Sequence, residues 1–343
     1  MDPVTHALTS FLLVRGFFPR RPWWFGVGVV LAGTIADLDL LSTFAGPAAY
    51  LSLRQTFTHS IWGTVAAIAV AVGIALLLGR KKLPSQQTDA AKNLGIPALL
   101  GATSLAGALH VLMDEGTSVG VALLWPWRAT RFAWDWLPRV DPWILVLLLA
   151  GLLLPELFRL VGSEIGTKNT APRGRNGAIA AFALVLIYIG VRATLHGNAI
   201  AQLDAHTYRG ESPRQLAAFA DPISLITWRG IVETSTQICT FSVPTTLGTR
   251  FDPESGECVH KPEDSPTLAL AVQTESVKKF MQSARFPKAS VGATDDGMEV
   301  AIRDVRDPAE EATRLSVAVR VLLNSKGKLK SQEILWANQI SLK

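Results

Sequence analysis

The sequence carries ionisable side chains where apolar runs begin or end, and their types are those that bind metal ions. Three histidines and three aspartates share this setting: His6, Asp37, Asp39, His59, His110 and Asp114. Ionisable groups within a bilayer are costly, so they usually face a cavity or one another and mark function. Histidine nitrogen and aspartate oxygen are ordinary ligands of hydrolytic zinc and manganese sites. The set therefore predicts a metal site in a membrane protein.

The spacing of these residues is compatible with one shared cavity. His110 and Asp114 are four residues apart, so both lie on one face of a helix. Asp37 and Asp39 are two apart, which suits a helix end. Together the six would suffice for one or two divalent ions, with zinc expected. A metal-bound water would then be the nucleophile, assisted by Asp39 and by Arg54, which would pair with a substrate phosphate. Three hydroxyl groups are expected to hydrogen-bond the ligands: those of Thr58, Ser60 and Thr117.

Each of these residues also has a structural alternative. A single histidine in a helix is more often a structural residue than a ligand, and Asp37 with Asp39 could simply cap a helix end. We expect Asp135 and Asp141 to fix a surface loop rather than bind metal. Three further histidines are expected to be non-functional: His196, His206 and His260. The shared setting of the first six residues favours the metal site over these alternatives.

Six apolar segments must position the predicted ligands. They are Val4–Phe18, Trp23–Leu41, Ile61–Gly79, Leu94–Met113, Pro142–Val161 and Gly177–Leu195. A bilayer core about 30 Å thick needs about 20 apolar residues in a helix, and a soluble protein rarely has several such runs. The first segment is the weakest because it is short and includes Arg15. The sequence predicts an α-helical multi-pass membrane domain over residues 1–197.

Residues 198–343 read as a small β-rich (α+β) soluble domain. Strands are expected where β-branched and aromatic residues cluster: Ile223–Glu233, Gln237–Val243, Leu268–Gln273, Met298–Ile302 and Leu315–Leu323. A helix is expected at Glu275–Ala284. Cys239 and Cys258 could form a disulfide in an oxidising compartment, although two cysteines by themselves do not establish the bond.

The basic residues predict an orientation. The first, third and fifth loops carry most of them, including Arg20, Lys81 and Arg173. The positive-inside rule puts those loops in the cytoplasm. The N terminus, the even loops and the soluble domain would then face the periplasm of a bacterium. The predicted ligands all fall at the outer ends of their segments, within reach of lipid head groups.

The composition and the absence of one known motif disfavour some classes of function. A net charge of +5 on 343 residues is too small to argue for a nucleic-acid partner. The absence of HExxH disfavours a zincin protease mechanism. The expected partners are the lipid bilayer and a lipid or phosphoester substrate. The alternative is a non-enzymatic metal-binding transporter or scaffold, although a transporter would place its charges nearer mid-membrane.

An ordered set of motifs resembles the YdjM-like family of inner-membrane metal-dependent hydrolases. The motifs are Met1–His6, Ala36–Asp39, Thr56–Ser60, His110–Asp114, Thr117–Gly120, Phe132–Trp136 and Val140–Trp143. The resemblance implies that the six histidines and aspartates are ligands. It also implies a distant similarity to the zinc phospholipase C and P1 nuclease group, and hence phosphoester hydrolysis. Members often have a His-Arg-Gly run where this chain has Arg54-Gln55-Thr56, so one possible further ligand is absent.

Overall fold

The computed structural model describes residues 1–80, 89–164, 174–246, 248–295, 297–306 and 315–340. Its first part is helical. The α-helices are α1 (Pro3–Phe17), α2 (Trp23–Ala32), α3 (Pro47–Leu53), α4 (Ile61–Arg80), α5 (Asp89–Glu115), α6 (Pro142–Glu164) and α7 (Arg175–Asp204). Two 3-10 helices, Ile35–Ala45 and Phe57–His59, flank α3. Lys81 and Arg173, which contribute to the predicted orientation, lie outside the described residues.

Four of these helices are long and apolar enough to cross a membrane. They contain the candidate spans Ile61–Gly79, Gly95–Glu115, Pro142–Val161 and Arg175–Asp204. A fifth candidate is the pair formed by α2 and the 3-10 helix Ile35–Ala45, which are bent by 51°. The first predicted segment is helical, but α1 has only 15 residues. That length is short of the 20 or so residues that a span needs.

The second predicted segment is interrupted near Gly33, which ends α2. A β-carbon on Gly33 would lie 1.9 Å from the Ser10 hydroxyl oxygen of α1, so only glycine allows this close approach. The Thr34 hydroxyl donates to the carbonyl of Val30, 2.8 Å away, one turn back. The chain then continues as the tighter 3-10 helix that carries Asp37 and Asp39. The break therefore brings two carboxylates to the end of the helices.

The second part of the chain forms two four-stranded antiparallel sheets, each with its strands in sequence order. The first contains β1 (Gln215–Ala220), β2 (Thr227–Glu233), β3 (Gln237–Pro244) and β4 (Glu257–His260). The second contains β5 (Pro287–Thr294), β6 (Gly297–Asp304), β7 (Val317–Asn324) and β8 (Leu329–Trp336). Helices α8 (Pro266–Val272) and α9 (Glu275–Met281) connect the sheets. Cys239 and Cys258 face each other across β3 and β4 and form a disulfide.

One predicted strand is wrong. Leu268–Gln273 lies largely within α8, because the Ser265 hydroxyl accepts a hydrogen bond from the Leu268 amide at 3.1 Å and Pro266 opens the first turn. This is a standard helix start, and it outweighs the β-like composition of the segment. The other predicted strands are present with shifted ends. Four strands were not predicted, β1, β4, β5 and β8, whose sequences are short or rich in alanine and polar residues.

The helical part and the sheets are joined by α7. This helix runs to Asp204, past the predicted domain boundary at residue 197. Ala199 and Leu203 on its last turns are buried in one core with Trp228 and Tyr208 of the sheet region. A helix that contains a candidate membrane span therefore supplies part of the core of the first sheet.

Segments next to the strands of both sheets also contact the loop after α5 and the start of α6. The Arg285 guanidinium pairs with Asp135 at 2.7 Å, and Arg306 donates to the Ser118 carbonyl at 2.7 Å. The Trp143 indole donates to the Ile223 carbonyl at 3.1 Å. These contacts hold the sheets at the same end of the helices as the predicted ligands.

Candidate metal centre

Four separate stretches of chain bring the six predicted ligands together. His6 lies in the first turns of α1, which Asp2 caps by accepting the Thr5 amide at 3.0 Å. Asp37 and Asp39 lie on the 3-10 helix, and His59 lies in the turn before α4. The last turns of α5 carry His110 and Asp114. All six side chains are buried.

Direct contacts join these residues into one cluster. His59 Nε2 lies 2.8 Å from Asp114 Oδ2 and 3.1 Å from His110 Nε2. His6 Nε2 lies 3.3 Å from Asp114 Oδ1. The other nitrogen of His59, Nδ1, lies 3.1 Å from Asp39 Oδ2. The sequence correctly predicted that these residues converge on one place.

The cluster has the ligand atoms of a cation site, and some of these atoms lack hydrogen-bond partners. Ligand atoms of His6, Asp37, His110 and Asp114 all lie within 4.8 Å of one another, so this group could hold a metal ion. Three buried atoms of the predicted ligands have no hydrogen-bond partner: His6 Nδ1, Asp37 Oδ2 and Asp114 Oδ2. The close approach of Asp114 Oδ2 to His59 therefore lacks hydrogen-bond geometry. Imidazole nitrogen and carboxylate oxygen are the ligand types of divalent cations such as zinc, so these residues fit a divalent cation.

Asp39 and His59 lie outside that group of four. Asp39 accepts the Gln55 amide at 2.7 Å and the Thr58 hydroxyl at 2.9 Å, and it also contacts His59. This is the pattern in which a carboxylate orients a histidine from behind. Burial lowers the pKa of His59, although the nearby Asp39 opposes this effect. The lowered pKa favours the neutral ring, which is the form that binds metals. The assignment of Asp39 and His59 as direct ligands stays a prediction.

Arg54 lies against the two aspartates. Its guanidinium is 3.3 Å from Asp37 Oδ1 and also pairs with Asp39 Oδ1. Burial by itself would lower the pKa of Arg54, but the carboxylates of Asp39 and Asp37 raise it above its usual value. Arg54 thus partly neutralises the acidic side of the cluster. Its predicted role with a substrate phosphate stays a prediction.

Of the three hydroxyl groups expected near the ligands, only that of Thr58 contacts ligand side chains. It lies 2.9 Å from both Asp39 Oδ2 and His59 Nδ1. The Ser60 hydroxyl instead accepts the Gly63 amide at 3.1 Å and caps α4. The Thr117 hydroxyl donates to the main-chain carbonyl of Asp114 at 2.8 Å.

Two contacts of the cluster were not predicted. His110 Nδ1 lies 2.9 Å from the carbonyl of Gly33, at the break after α2, which fixes the ring so that Nε2 faces the cluster. The amino group of Met1 pairs with Asp114. Neither contact has a signal in the sequence, because both depend on how α1 and α2 pack against α5.

The other two aspartates and three histidines considered in the sequence lie outside the cluster, and Asp135 and Asp141 are buried rather than on a surface loop. Asp135 pairs with Arg285, and Asp141 Oδ1 accepts the amides of Trp143 and Ile144 at the start of α6. The other histidines have separate surroundings: His196 packs against Trp228, His206 lies 2.8 Å from the Gln202 carbonyl, and His260 is exposed on β4.

The fold and the cluster define a class: a helical membrane protein with a buried histidine–aspartate centre that could hold a metal ion. Within that class, the chain belongs to the YdjM inner membrane protein family, whose model matches residues 1–199. That range includes every residue of the cluster. No curated protein and no solved structure matches the chain. The distant similarity to zinc phospholipase C and P1 nuclease therefore stays a prediction.

Proposed function

We propose that this protein is a membrane-bound metal-dependent hydrolase of phosphoester or related ester bonds near the membrane surface. The observation that carries the proposal is the buried cluster with its unpartnered atoms His6 Nδ1, Asp37 Oδ2 and Asp114 Oδ2. A purely structural cluster would be expected to pair such atoms within the protein, since an unpaired buried polar atom is costly. Zinc is the proposed metal, because imidazole and carboxylate together suit it.

The chain's own residues have distinct roles in this proposal. His6, Asp37, His110 and Asp114 would hold the ion, which when bound acidifies water and polarises a phosphoryl oxygen. Asp39 orients His59 through their 3.1 Å contact. His59 Nε2, between Asp114 and His110, is positioned either to complete the coordination or to accept a proton. Arg54 neutralises Asp37 and Asp39, so that the cluster does not repel an anionic substrate.

We further propose that the apolar helices cross the inner membrane several times, with the cluster and the sheets on the periplasmic side. The Cys239–Cys258 disulfide supports this side, because such bonds persist in oxidising compartments. Alkaline phosphatase, which is active only in the periplasm, provides a test when it is fused after Asp204 or after Gly166. The first fusion is expected to be active and the second inactive. The reverse pattern would invert the orientation.

The enzymatic proposal is tested with the full chain purified in detergent. Metal content is measured by mass spectrometry, and hydrolysis is followed on a panel of phosphodiesters and phospholipids. We expect bound zinc, turnover of at least one substrate class, loss of turnover on chelation and recovery on zinc addition. A protein that binds zinc but hydrolyses nothing on the panel would favour the transporter or scaffold alternative. A protein without metal would contradict both.

A further inference from the structure

A second polar region lies beside the metal cluster, in a cavity between the helical part and the second sheet. Four arginines and one aspartate line it: Arg54, Arg131, Arg139, Arg306 and Asp304. We call it the arginine cavity. Arg54 and Arg131 come from the helical part, whereas Arg306 and Asp304 come from the end of β6. The cavity therefore exists only because the sheets sit on this end of the helices.

Arg306 forms a fixed wall of the arginine cavity. Its Nε lies 2.8 Å from Asp304 Oδ2, so its charge is paired. Its two terminal nitrogens donate to the carbonyls of Ser118 and Ser283, both at 2.7 Å. With these partners, Arg306 links the loop after α5 to the sheets, and its role is explained by structure alone.

Arg131 differs from Arg306 because its charge is not matched by the protein. Its guanidinium donates to the Arg54 carbonyl at 2.8 Å, and it forms no ion pair with a carboxylate of the described residues. Burial, reinforced by the nearby charge of Arg306, lowers the pKa of Arg131 to about 10. A half-buried guanidinium without a counter-charge is costly, and an anionic ligand would remove the cost. Guanidinium groups also match phosphate geometry through paired N–H donors.

Arg54 connects the arginine cavity to the metal cluster. The same side chain lines the cavity and pairs with Asp37 and Asp39. An anion beside Arg131 would therefore lie next to the acidic side of the cluster.

We propose that the arginine cavity binds the phosphate group of an anionic phosphoester and presents it to the metal cluster. This inference rests on the proposed hydrolase function and names its substrate class. The phosphate could belong to a lipid head group or to a soluble phosphoester, because both carry the same recognised group. Arg131 is the residue whose positive charge is available for that contact.

The test measures phosphate binding in the absence of metal, so that it does not depend on catalysis. Full-length protein in detergent is treated with EDTA, and thermal unfolding is followed with increasing probe, since a ligand that binds the folded state raises Tm. The probes are inorganic phosphate, dihexanoyl phosphatidic acid and the zwitterionic dihexanoyl phosphatidylcholine. We expect dose-dependent stabilisation by at least one of the first two and little by the third. Stabilisation by phosphatidic acid alone identifies a lipid source, and stabilisation by inorganic phosphate as well identifies a soluble one.

The variants assign the binding to the cavity. Arg131→Gln is expected to weaken the apparent affinity roughly tenfold to a hundredfold, the usual loss for hydrogen bonds to a charged group. Arg214→Gln removes the same charge from an exposed position on the sheet region and should bind as wild type does. If Arg131→Gln does not fold, Arg139→Gln replaces it in the same comparison.

Several outcomes would overturn the inference. They are unchanged affinity in the cavity variant, an equal loss in Arg214→Gln, equal stabilisation by phosphatidylcholine, or no stabilisation by any probe. Phosphate binding that depends on Arg131, without turnover in the presence of zinc, would support the phosphate site and reject the hydrolase. Zinc-dependent turnover, together with unchanged phosphate binding by Arg131→Gln, would support the hydrolase and reject the phosphate site.

Discussion

Two groups of buried polar residues occur in the helical part of this protein, and they differ in how their hydrogen-bonding capacity is met. The first group surrounds Arg192, which is 1% exposed and is hydrogen-bonded on all three guanidinium nitrogens. Its guanidinium donates to the carbonyls of Trp136, Ser224, Leu225 and Asp221 and stacks 4.4 Å from the Trp228 ring. Nearby, Asp141 accepts two main-chain amides and the Tyr188 hydroxyl at 2.8 Å.

The metal cluster is equally buried but incomplete. His59 and His110 face each other through nitrogens 3.1 Å apart, and Asp114 Oδ2 has close neighbours but no hydrogen bond. From the sequence, ligands were predicted only in the cluster, and Asp141 was expected to fix a surface loop. The difference teaches that a candidate ion site is marked by metal-ligand atoms of histidine and aspartate that lack hydrogen bonds, whereas the charged groups of Arg192 and Asp141 are hydrogen-bonded within the protein. Changes to the two groups should therefore have opposite consequences for metal binding and for folding.

The largest contrast is expected from His59→Ala combined with Asp114→Ala. This double variant removes two central members of the cluster, so bound metal should be lost and any hydrolysis should fall to the level of the buffer. Folding in detergent is measured alongside, because Asp114 also contacts His6 and the Met1 amino group. Metal mass spectrometry and circular dichroism make the comparison. A folded double variant that retains a full complement of metal would disprove the site.

Arg192→Met should have the reverse effect. It leaves several buried carbonyls without a donor and should reduce the free energy of unfolding by about 3 kcal/mol. Metal content per folded molecule should stay at the wild-type level, since no contact joins Arg192 to a residue of the cluster. Thermal unfolding in detergent measures the first quantity and mass spectrometry the second. Loss of metal from the folded variant would show that the Arg192 group also supports metal binding, and it would contradict the proposed difference between the two groups.

Thr58→Val sharpens the comparison within the cluster. The hydroxyl of Thr58 lies 2.9 Å from both Asp39 and His59, so its removal should weaken zinc affinity about 10- to 100-fold, as for other residues that orient ligands. Thr117→Val is the matched control, because the Thr117 hydroxyl contacts only the main chain of Asp114. Competition with a zinc-sensitive dye gives both affinities. Equal losses of zinc affinity in the two variants would argue that the Thr58 hydroxyl does not orient the ligands.

The smallest effect is expected from Asp141→Ala. This change removes the cap of α6 and should lower the free energy of unfolding by about 1 kcal/mol. Zinc affinity and turnover should not change. Chemical denaturation in detergent measures this loss, with Arg192→Met unfolded in parallel for comparison. An unchanged denaturation midpoint would show that the Asp141 cap does not stabilise the fold.

Features that depend on residues close together in the sequence were predicted, whereas features that depend on contacts between distant residues were not. Long apolar runs such as Ile61–Gly79 and Pro142–Val161 are local signals, and both are helical. The convergence of the six histidines and aspartates was also predicted, because each lies at the same end of its segment. The helix at Pro266–Val272 was missed because a capping serine outweighed strand-like composition. The close approach of Ser10 to Gly33 could not be predicted, since it joins residues of two different helices.

The sequence by itself determined the helical class of the first part, the β-rich class of the second and the identity of the polar residues that gather. Those properties follow from composition and local spacing. Only the tertiary structure decided which of these residues lie within 4.8 Å of one another, that Arg54 pairs with two aspartates, and that Arg131 faces a cavity shared with the sheets. Such contacts join residues far apart in the chain, and they depend on helix packing that no local pattern encodes.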